Sequence, residues 1–330
     1  SWSTNELYLK SAHDIYINDT LNGSSVASLK LGYGTGHDYS IAREAKVFLD
    51  ANNGGLEIGE AGSEAAYYLI NDWNTTASHK FLDIGITGNY AIVNDFTTSY
   101  TASTSVINLN FNGTLAGLGH YLNDLNTTVV SNDDNNGLFQ QISADGVVRD
   151  FYLGAVNLGI VDDFNGAIAG NNFGLIKNVG VKSVAIQRNT DFSIYSQSTY
   201  NGGLIGINSL GTIEDSYSAE TTFSWSNATW GKFDILGGLV GQNSGVIRRS
   251  WADISTTLDN NVEFRDIVNF GGIAGVNTGA NAVIEQSYTT GLFNAAGSTI
   301  GGLVGQLVNG ASINNSFSDM TIGVSYGQII

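Results

Sequence analysis

Gly301-Gly302-Leu303-Val304-Gly305 decides the fold, because nearly the same five residues recur at 202–206, 237–241 and 271–275. Each copy is followed by an aliphatic residue, two polar residues, a serine and an aromatic residue. Two degenerate copies of the motif precede these four. The six units therefore start near residues 136, 166, 202, 237, 271 and 301, at intervals of 30 to 36 residues. Self-similarity at such a period indicates a solenoid built from stacked repeats.

The unit is made of short strands, since its apolar residues alternate or run in pairs and show no 3.6-residue stripe. The sequence therefore predicts an all-β parallel β-helix. Paired glycines are typical of a corner where the backbone takes a positive φ. A phosphate-binding loop is excluded because no Gly-Lys-Ser/Thr follows and because such a loop would occur once.

The composition restricts the classes of partner. Charged residues make up 13% of the chain, against about 25% in typical globular proteins. With 13 Lys and Arg against 30 Asp and Glu, the formal net charge is −17, so we expect no binding to nucleic acid. The absence of cysteine excludes disulfides and thiolate metal sites.

The N-terminal part also has strand-like sequence, with apolar residues alternating from Leu7 to Leu31 in a pattern that predicts three short strands per coil. We divide the chain into N-terminal coils at 1–115 and repeat coils at 116–330, continuous with the first part. No signal peptide opens the chain and no apolar run approaches membrane-spanning length, so membrane insertion is not expected. Because both ends fall in strand-like sequence, we interpret the chain as a fragment of a longer protein.

Several segments resemble one family of exported proteins. Leu7-Tyr8-Leu9, residues 14–18 and Leu29-Lys30-Leu31 are similar to coils of filamentous-haemagglutinin-like exoproteins of two-partner secretion. Residues 86–95 and 111–120 resemble the lead-in to GLUG repeats, and the glycine motif resembles the GLUG repeats themselves.

The resemblance implies a right-handed β-helix that an outer-membrane transporter carries out of a Gram-negative bacterium. Such proteins are secreted or stay at the cell surface. They are commonly adhesins for a host-cell receptor, a glycan or a matrix polysaccharide, and sometimes capture haem or form the stalk of a toxin.

Two long insertions, at residues 187–201 and 218–236, give the candidate binding site. Repeats of a solenoid differ in length mainly in the loops at one edge, and these loops often form the binding surface. Both insertions begin at the same point of successive units, so we expect them to share one surface. Its aromatic and cationic side chains suit a glycan or an acidic protein ligand: Tyr195, Tyr200, Phe223, Trp225, Trp230, Phe233, Arg188 and Lys232. The alternative for the four aromatic residues at 223–233 is that they pack over the flank of the β-helix and bind nothing.

Two repeated positions are interpreted as structural. The aromatic residue that ends each unit predicts a stack along the solenoid: Tyr217, Trp251, Tyr288 and Phe317. In the glycine motif, strand alternation predicts that one residue of each aliphatic pair, such as Leu239 and Val240, points inward.

Other polar groups do not indicate catalysis or a cofactor. Residues 132–137, including Asp133 and Asp134, resemble a calcium loop but lack the glutamate at its twelfth position. The four histidines are far apart in sequence without metal-ligand spacing. We therefore predict a non-enzymatic binding fibre with no metal or cofactor; the alternatives are a haem or haem-carrier capture protein and a β-helical polysaccharide-cleaving enzyme.

Overall fold

A computed structural model describes the following parts of the chain: 1–73, 78–97, 101–102, 105–128, 135–159, 164–188, 198–225, 234–257, 267–294, 299–323 and 328–329. The chain divides into two compact units. Unit 1 comprises Ser1–Thr98, Asn112–Leu122 and Val147–Tyr152. Unit 2 comprises Ser99–Phe111, Asn123–Gly146 and Leu153–Ile330.

Regular structure in the described residues is β-strand, apart from a 3-10 helix at Phe81–Asp83. The first strands are β1 Glu6–Lys10, β2 Ile15–Ile17, β3 Leu21–Asn22, β4 Ser28–Tyr33, β5 Tyr39–Ile41, β6 Val47–Phe48, β7 Gly55–Glu60, β8 Ala65–Ala66, β9 Tyr68–Ile70, β10 Asn89–Ile92, β11 Phe96–Thr97, β12 Thr101–Ala102, β13 Ile107–Phe111, β14 Thr114–Asn123, β15 Asn126–Thr128, β16 Asn135–Asn136, β17 Phe139–Ile142, β18 Val147–Gly159 and β19 Phe164–Gly166. The later strands are β20 Ala169–Asn172, β21 Leu175–Arg188, β22 Thr199–Gly202, β23 Ile205–Asn208, β24 Thr212–Glu214, β25 Tyr217–Trp225, β26 Asp234–Gly237, β27 Val240–Asn243, β28 Val246–Arg248, β29 Trp251–Thr257, β30 Ile267–Gly271, β31 Ala274–Thr278, β32 Val283–Glu285, β33 Tyr288–Asn294, β34 Thr299–Gly301, β35 Val304–Val308, β36 Ser312–Asn314, β37 Phe317–Gly323 and β38 Gln328–Ile329.

Unit 1 begins with two coils of three short strands each, as the sequence predicted. Strands β1, β4 and β7 stack in parallel, with Leu7 opposite Leu29 and Leu29 opposite Leu56. Strand β2 pairs with β5, and β3 pairs with β6, also in parallel. The apolar alternation fails at Val26, which precedes the strand that begins at Ser28 and is 55% exposed.

Unit 2 is a parallel β-helix. One parallel sheet runs in the order β13, β17, β20, β23, β27, β31 and β35, and a second in the order β16, β19, β22, β26, β30, β34 and β38. A further stack is formed by β21, β25, β29, β33 and β37. All six predicted units, including the two degenerate ones, are in register through Phe139, Ala169, Ile205, Val240, Ala274 and Val304.

The paired glycines are required for space, and the predicted positive φ at these positions is wrong. Gly237 lies outside the left-handed region, but a Cβ on it would overlap the carbonyl oxygen of Val240. A Cβ on Gly238 would overlap Gly272 of the next coil. Leu239 lies in the bend between β26 and β27, so strand alternation does not apply there, and both Leu239 and Val240 are fully buried.

A second corner explains the polar, polar, serine pattern of each unit. The residue before the serine has a positive φ, as at Arg249 with φ 48°. The Ser250 hydroxyl donates a hydrogen bond to the carbonyl of Arg248 at 2.9 Å and accepts one from the Ser216 amide at 3.2 Å. The Ser250 amide in turn donates to the hydroxyl of Ser287 at 3.2 Å. At the corner, these backbone groups have no partner in the sheet, and one serine per coil provides their hydrogen bonds.

A column of asparagines crosses the interior of unit 2. Asn172 donates to Asn208 at 2.9 Å, Asn208 donates to Asn243 at 2.8 Å, and Asn243 donates to Asn277 at 2.8 Å. All four side chains are buried. Asn208 also donates to the Gly211 carbonyl at 3.0 Å, so the column links neighbouring coils and holds the turn after each asparagine.

Candidate functional site

The candidate site lies at the edge of unit 2 where the long strands end. Strand β21 pairs with β25 up to its last residue, so Arg188 is opposite Trp225. The strands that resume after the two insertions, β22 and β26, are also paired, with Tyr200 opposite Ile235. Because the strands before and after the insertions are both in register, the two connecting segments begin and end side by side.

The eight predicted site residues divide into three groups. Arg188 and Trp225 are neighbours at the departing strand ends, and Tyr200 lies at the start of the returning strand. The Tyr200 ring is half-buried, with its centroid 5.7 Å from that of Phe164. The other positions, except Phe223, lie outside the described residues: Tyr195, Trp230, Lys232 and Phe233.

Phe223 does not belong to an exposed patch. The stretch 218–225, which the sequence analysis assigned to an insertion, is the continuation of β25. Phe223 is only 2% exposed, and its ring packs edge-to-face on Phe270 with centroids 6.4 Å apart. We correct the prediction on this residue, since its side chain contributes to the core of unit 2.

The predicted aromatic stack is confirmed. Centroid distances are 4.7 Å from Tyr217 to Trp251, 5.8 Å from Trp251 to Tyr288 and 5.4 Å from Tyr288 to Phe317. The planes of neighbouring rings deviate by 5° to 9°. The rings of Trp251 and Tyr288 are therefore covered on both faces, which prevents a sugar from stacking on them. Phe317 is 60% exposed, and its outer face has no partner ring within the described residues.

A row of charges lies beside the stack, and its cations are paired with carboxylates of a neighbouring coil. The buried carboxylate of Glu214 accepts from the guanidinium of Arg248 at 2.6 Å and from that of Arg249 at 3.2 Å, and Lys177 is 3.5 Å away. Arg249 also donates to Asp215 at 2.7 Å, and hydrogen bonds to Asp215 and Glu214 raise the pKa of Arg249. These charge-assisted hydrogen bonds link neighbouring coils at the corner.

Unit 1 contains a buried ion cluster that the sequence analysis missed. Arg149, 7% exposed, donates to Asp38 at 2.7 Å and to Asp150 at 2.8 Å. Its guanidinium also lies 3.8 Å from the centroid of the Tyr39 ring. Burial raises the pKa of Tyr39 well above its usual value. Arg149 and Asp150 are buried and Asp38 is 33% exposed, so the cluster links β5 to β18 within unit 1.

The histidines are less separated than their spacing in the sequence suggested. His13 and His37 occupy equivalent positions of adjacent coils, and His13 Nδ1 is 3.4 Å from His37 Nε2. The signal was a His-Asp doublet, present at 13–14 and again at 37–38. His120, in contrast, is fully buried, with Nδ1 3.0 Å from Asp95 and Nε2 2.8 Å from the carbonyl of Val47.

Other candidate sites receive no support. Within the described ranges, no three or more His, Cys, Asp or Glu side chains are grouped as a metal site. Residues 132–134 of the calcium-like loop, with Asp133 and Asp134, lie outside the described residues. No helix in the part of the chain that the structure describes is long and apolar enough to cross a membrane.

No model of a known protein family matches the chain, and no curated protein matches it. The resemblance to filamentous-haemagglutinin-like proteins with GLUG repeats therefore stays a prediction, as does the continuity of the coils at 1–115 and 116–330. What is established is the parallel β-helix.

Proposed function

We propose that this chain is part of a large secreted or surface-exposed bacterial adhesin. It acts as a non-enzymatic fibre, and unit 2 binds a glycan or an acidic receptor through the segments at one edge of its coils.

The observation that carries the proposal is that these segments leave successive coils at the same position. Strands β21, β25, β29, β33 and β37 are stacked in parallel, and so are the strands that follow each connection. The intervening stretches differ in length, for example 189–198, 226–233 and 295–298. A constant core with variable segments along one edge is the arrangement in which repeat proteins present binding surfaces.

The chemistry of these segments fits an adhesive role. Residues 226–233 contain Trp230, Lys232 and Phe233 in a chain that carries few cations. Aromatic side chains with neighbouring cations contact sugar rings or acidic partners with large apolar area and directed hydrogen bonds. Weak contacts repeated on successive coils combine into strong attachment by multivalency.

The first experiment is a glycan array and a cell-binding assay with the purified, untagged chain, followed by affinity measurement on the strongest ligand. We expect Trp225→Ala with Trp230→Ala to weaken binding about thirtyfold, since truncating a true anchor costs about 2 kcal/mol or more. Phe317→Ala is the control, because it removes an exposed ring away from the edge. Absence of any ligand, or unchanged binding by a folded double variant, would refute the proposal.

A further inference from the structure

A pair of histidines on the outside of unit 1 has the spacing of two ligands of one metal ion. Zn–N bonds of about 2.0–2.1 Å at a tetrahedral angle place two ligand nitrogens about 3.3–3.4 Å apart. His13 Nδ1 and His37 Nε2 are 3.4 Å apart, and both side chains are exposed. The ring planes meet at 84°, so modest rotation of two exposed rings lets both lone pairs converge on one ion.

A carboxylate orients the second ring. His37 Nδ1 lies 3.1 Å from Asp14 Oδ1. A carboxylate oxygen accepts hydrogen bonds, so Nδ1 of His37 is the donor to Asp14, and Nε2 is the nitrogen that faces His13. Carboxylate, histidine and metal in this order form the usual outer shell of protein metal sites.

The fold fixes this arrangement. Parallel pairing of β2 with β5 sets Ile15 opposite Tyr39, and the same register sets His13 over His37. The Asp14 carboxylate also accepts from the Asp38 amide at 2.9 Å, which ties the carboxylate to the neighbouring coil. Ring positions are therefore determined by the coil register and by Asp14, although the rings themselves are on the surface.

We propose that His13 and His37 bind a divalent transition-metal ion, such as Cu²⁺ or Zn²⁺, with Asp14 as the positioning residue. Imidazole ligands favour these ions over Ca²⁺ and Mg²⁺, which require oxygen. Coordination through Nδ1 of His13 requires the tautomer that carries its hydrogen on Nε2. With two protein ligands, water or a group from another molecule completes the shell.

The test is calorimetric titration of the untagged full chain with Cu²⁺, Zn²⁺ and Mg²⁺ at neutral pH. We expect one site for Cu²⁺ and Zn²⁺, tighter for Cu²⁺, and no binding of Mg²⁺. His13→Ala and His37→Ala each weaken binding at least tenfold, and Asp14→Asn weakens it about tenfold, as loss of an outer-shell partner does.

His79→Gln is the matched control, since His79 is in unit 1 but stacks on Tyr68 with centroids 4.9 Å apart. It should bind as the unaltered chain does. Circular dichroism verifies that every variant is folded, and electron paramagnetic resonance of the Cu²⁺ complex should show two nitrogen ligands. The proposal would be overturned if neither Cu²⁺ nor Zn²⁺ bound the chain. It would also be overturned if His13→Ala or His37→Ala bound the metal as tightly as the unaltered chain, or if His79→Gln lost binding.

Discussion

Replacing Asn208 with alanine removes three hydrogen bonds from the interior of unit 2. Its Oδ1 accepts from Asn172 at 2.9 Å, and its Nδ2 donates to Asn243 at 2.8 Å and to Gly211 at 3.0 Å. A buried hydrogen bond contributes about 0.5–1.5 kcal/mol net. Because Asn172 and Asn243 keep hydrogen bonds to their own turns, this net value applies, and we expect the free energy of unfolding to fall by about 3 kcal/mol.

The assay is urea denaturation followed by far-UV circular dichroism, with the slope compared between variants to verify that the transition is the same. Asn171→Ala is the matched control, since Asn171 lies in the neighbouring strand β20, is half-buried and makes one side-chain hydrogen bond within the described residues, from Ser209 at 2.7 Å. We expect the control to lose less than about 1 kcal/mol. If Asn208→Ala loses no more than the control, the column does not stabilise the coils as we argue.

Two further predictions concern the serine corner and acid stability. Ser250→Ala leaves the Ser216 amide without its hydroxyl acceptor and should cost about 1–3 kcal/mol in the same urea assay; an unchanged midpoint would contradict this role. Burial raises the pKa of Asp95, but hydrogen bonds from His120, Lys46 and the Tyr121 amide outweigh it and hold that pKa well below its usual range. Asp95 therefore stabilises unit 1 above the unfolded value of about 4, and this stability is lost as pH falls. Asp95→Asn should flatten the acid dependence of the unfolding free energy, and equal slopes in both proteins would refute the assignment.

The fold was largely predictable because a solenoid repeats its constraints in the sequence. Spacing of the glycine motif identified six units, and the aromatic position identified the stack at Trp251. The physical role of the glycines was not predictable, since a short distance between backbones, as at Gly237 and Val240, depends on the path of the coil. The positive φ at Arg249 could not be predicted either, because arginine has no preference for that conformation.

For the candidate site, the sequence predicts only the edge of the coils at which the variable segments leave. Unequal unit lengths identified where the variable segments leave, and the pairing of Arg188 with Trp225 agrees with this. The prediction that Phe223 lies on the binding surface was wrong because a strand that continues past the repeat motif has no sequence signal that distinguishes it from a loop. The pair of His13 and His37 was missed because the ligand spacing rules apply along one chain segment, whereas this pair is formed by the register between two coils.

The asparagine and serine columns of unit 2 repeat the same contact from coil to coil. Asn208 and Asn243 occupy the same position of successive coils, and so do Ser216 and Ser250, each bonding its counterpart in the same way. Removal of residues 237–270, one complete coil, would bring the coil that begins at 202 onto the coil that begins at 271, with asparagine again on asparagine and serine again on serine. The asparagine and serine columns therefore tolerate loss of a whole coil, whereas the charge row does not, because Arg248 would be removed and Glu214 would then lie opposite Glu285.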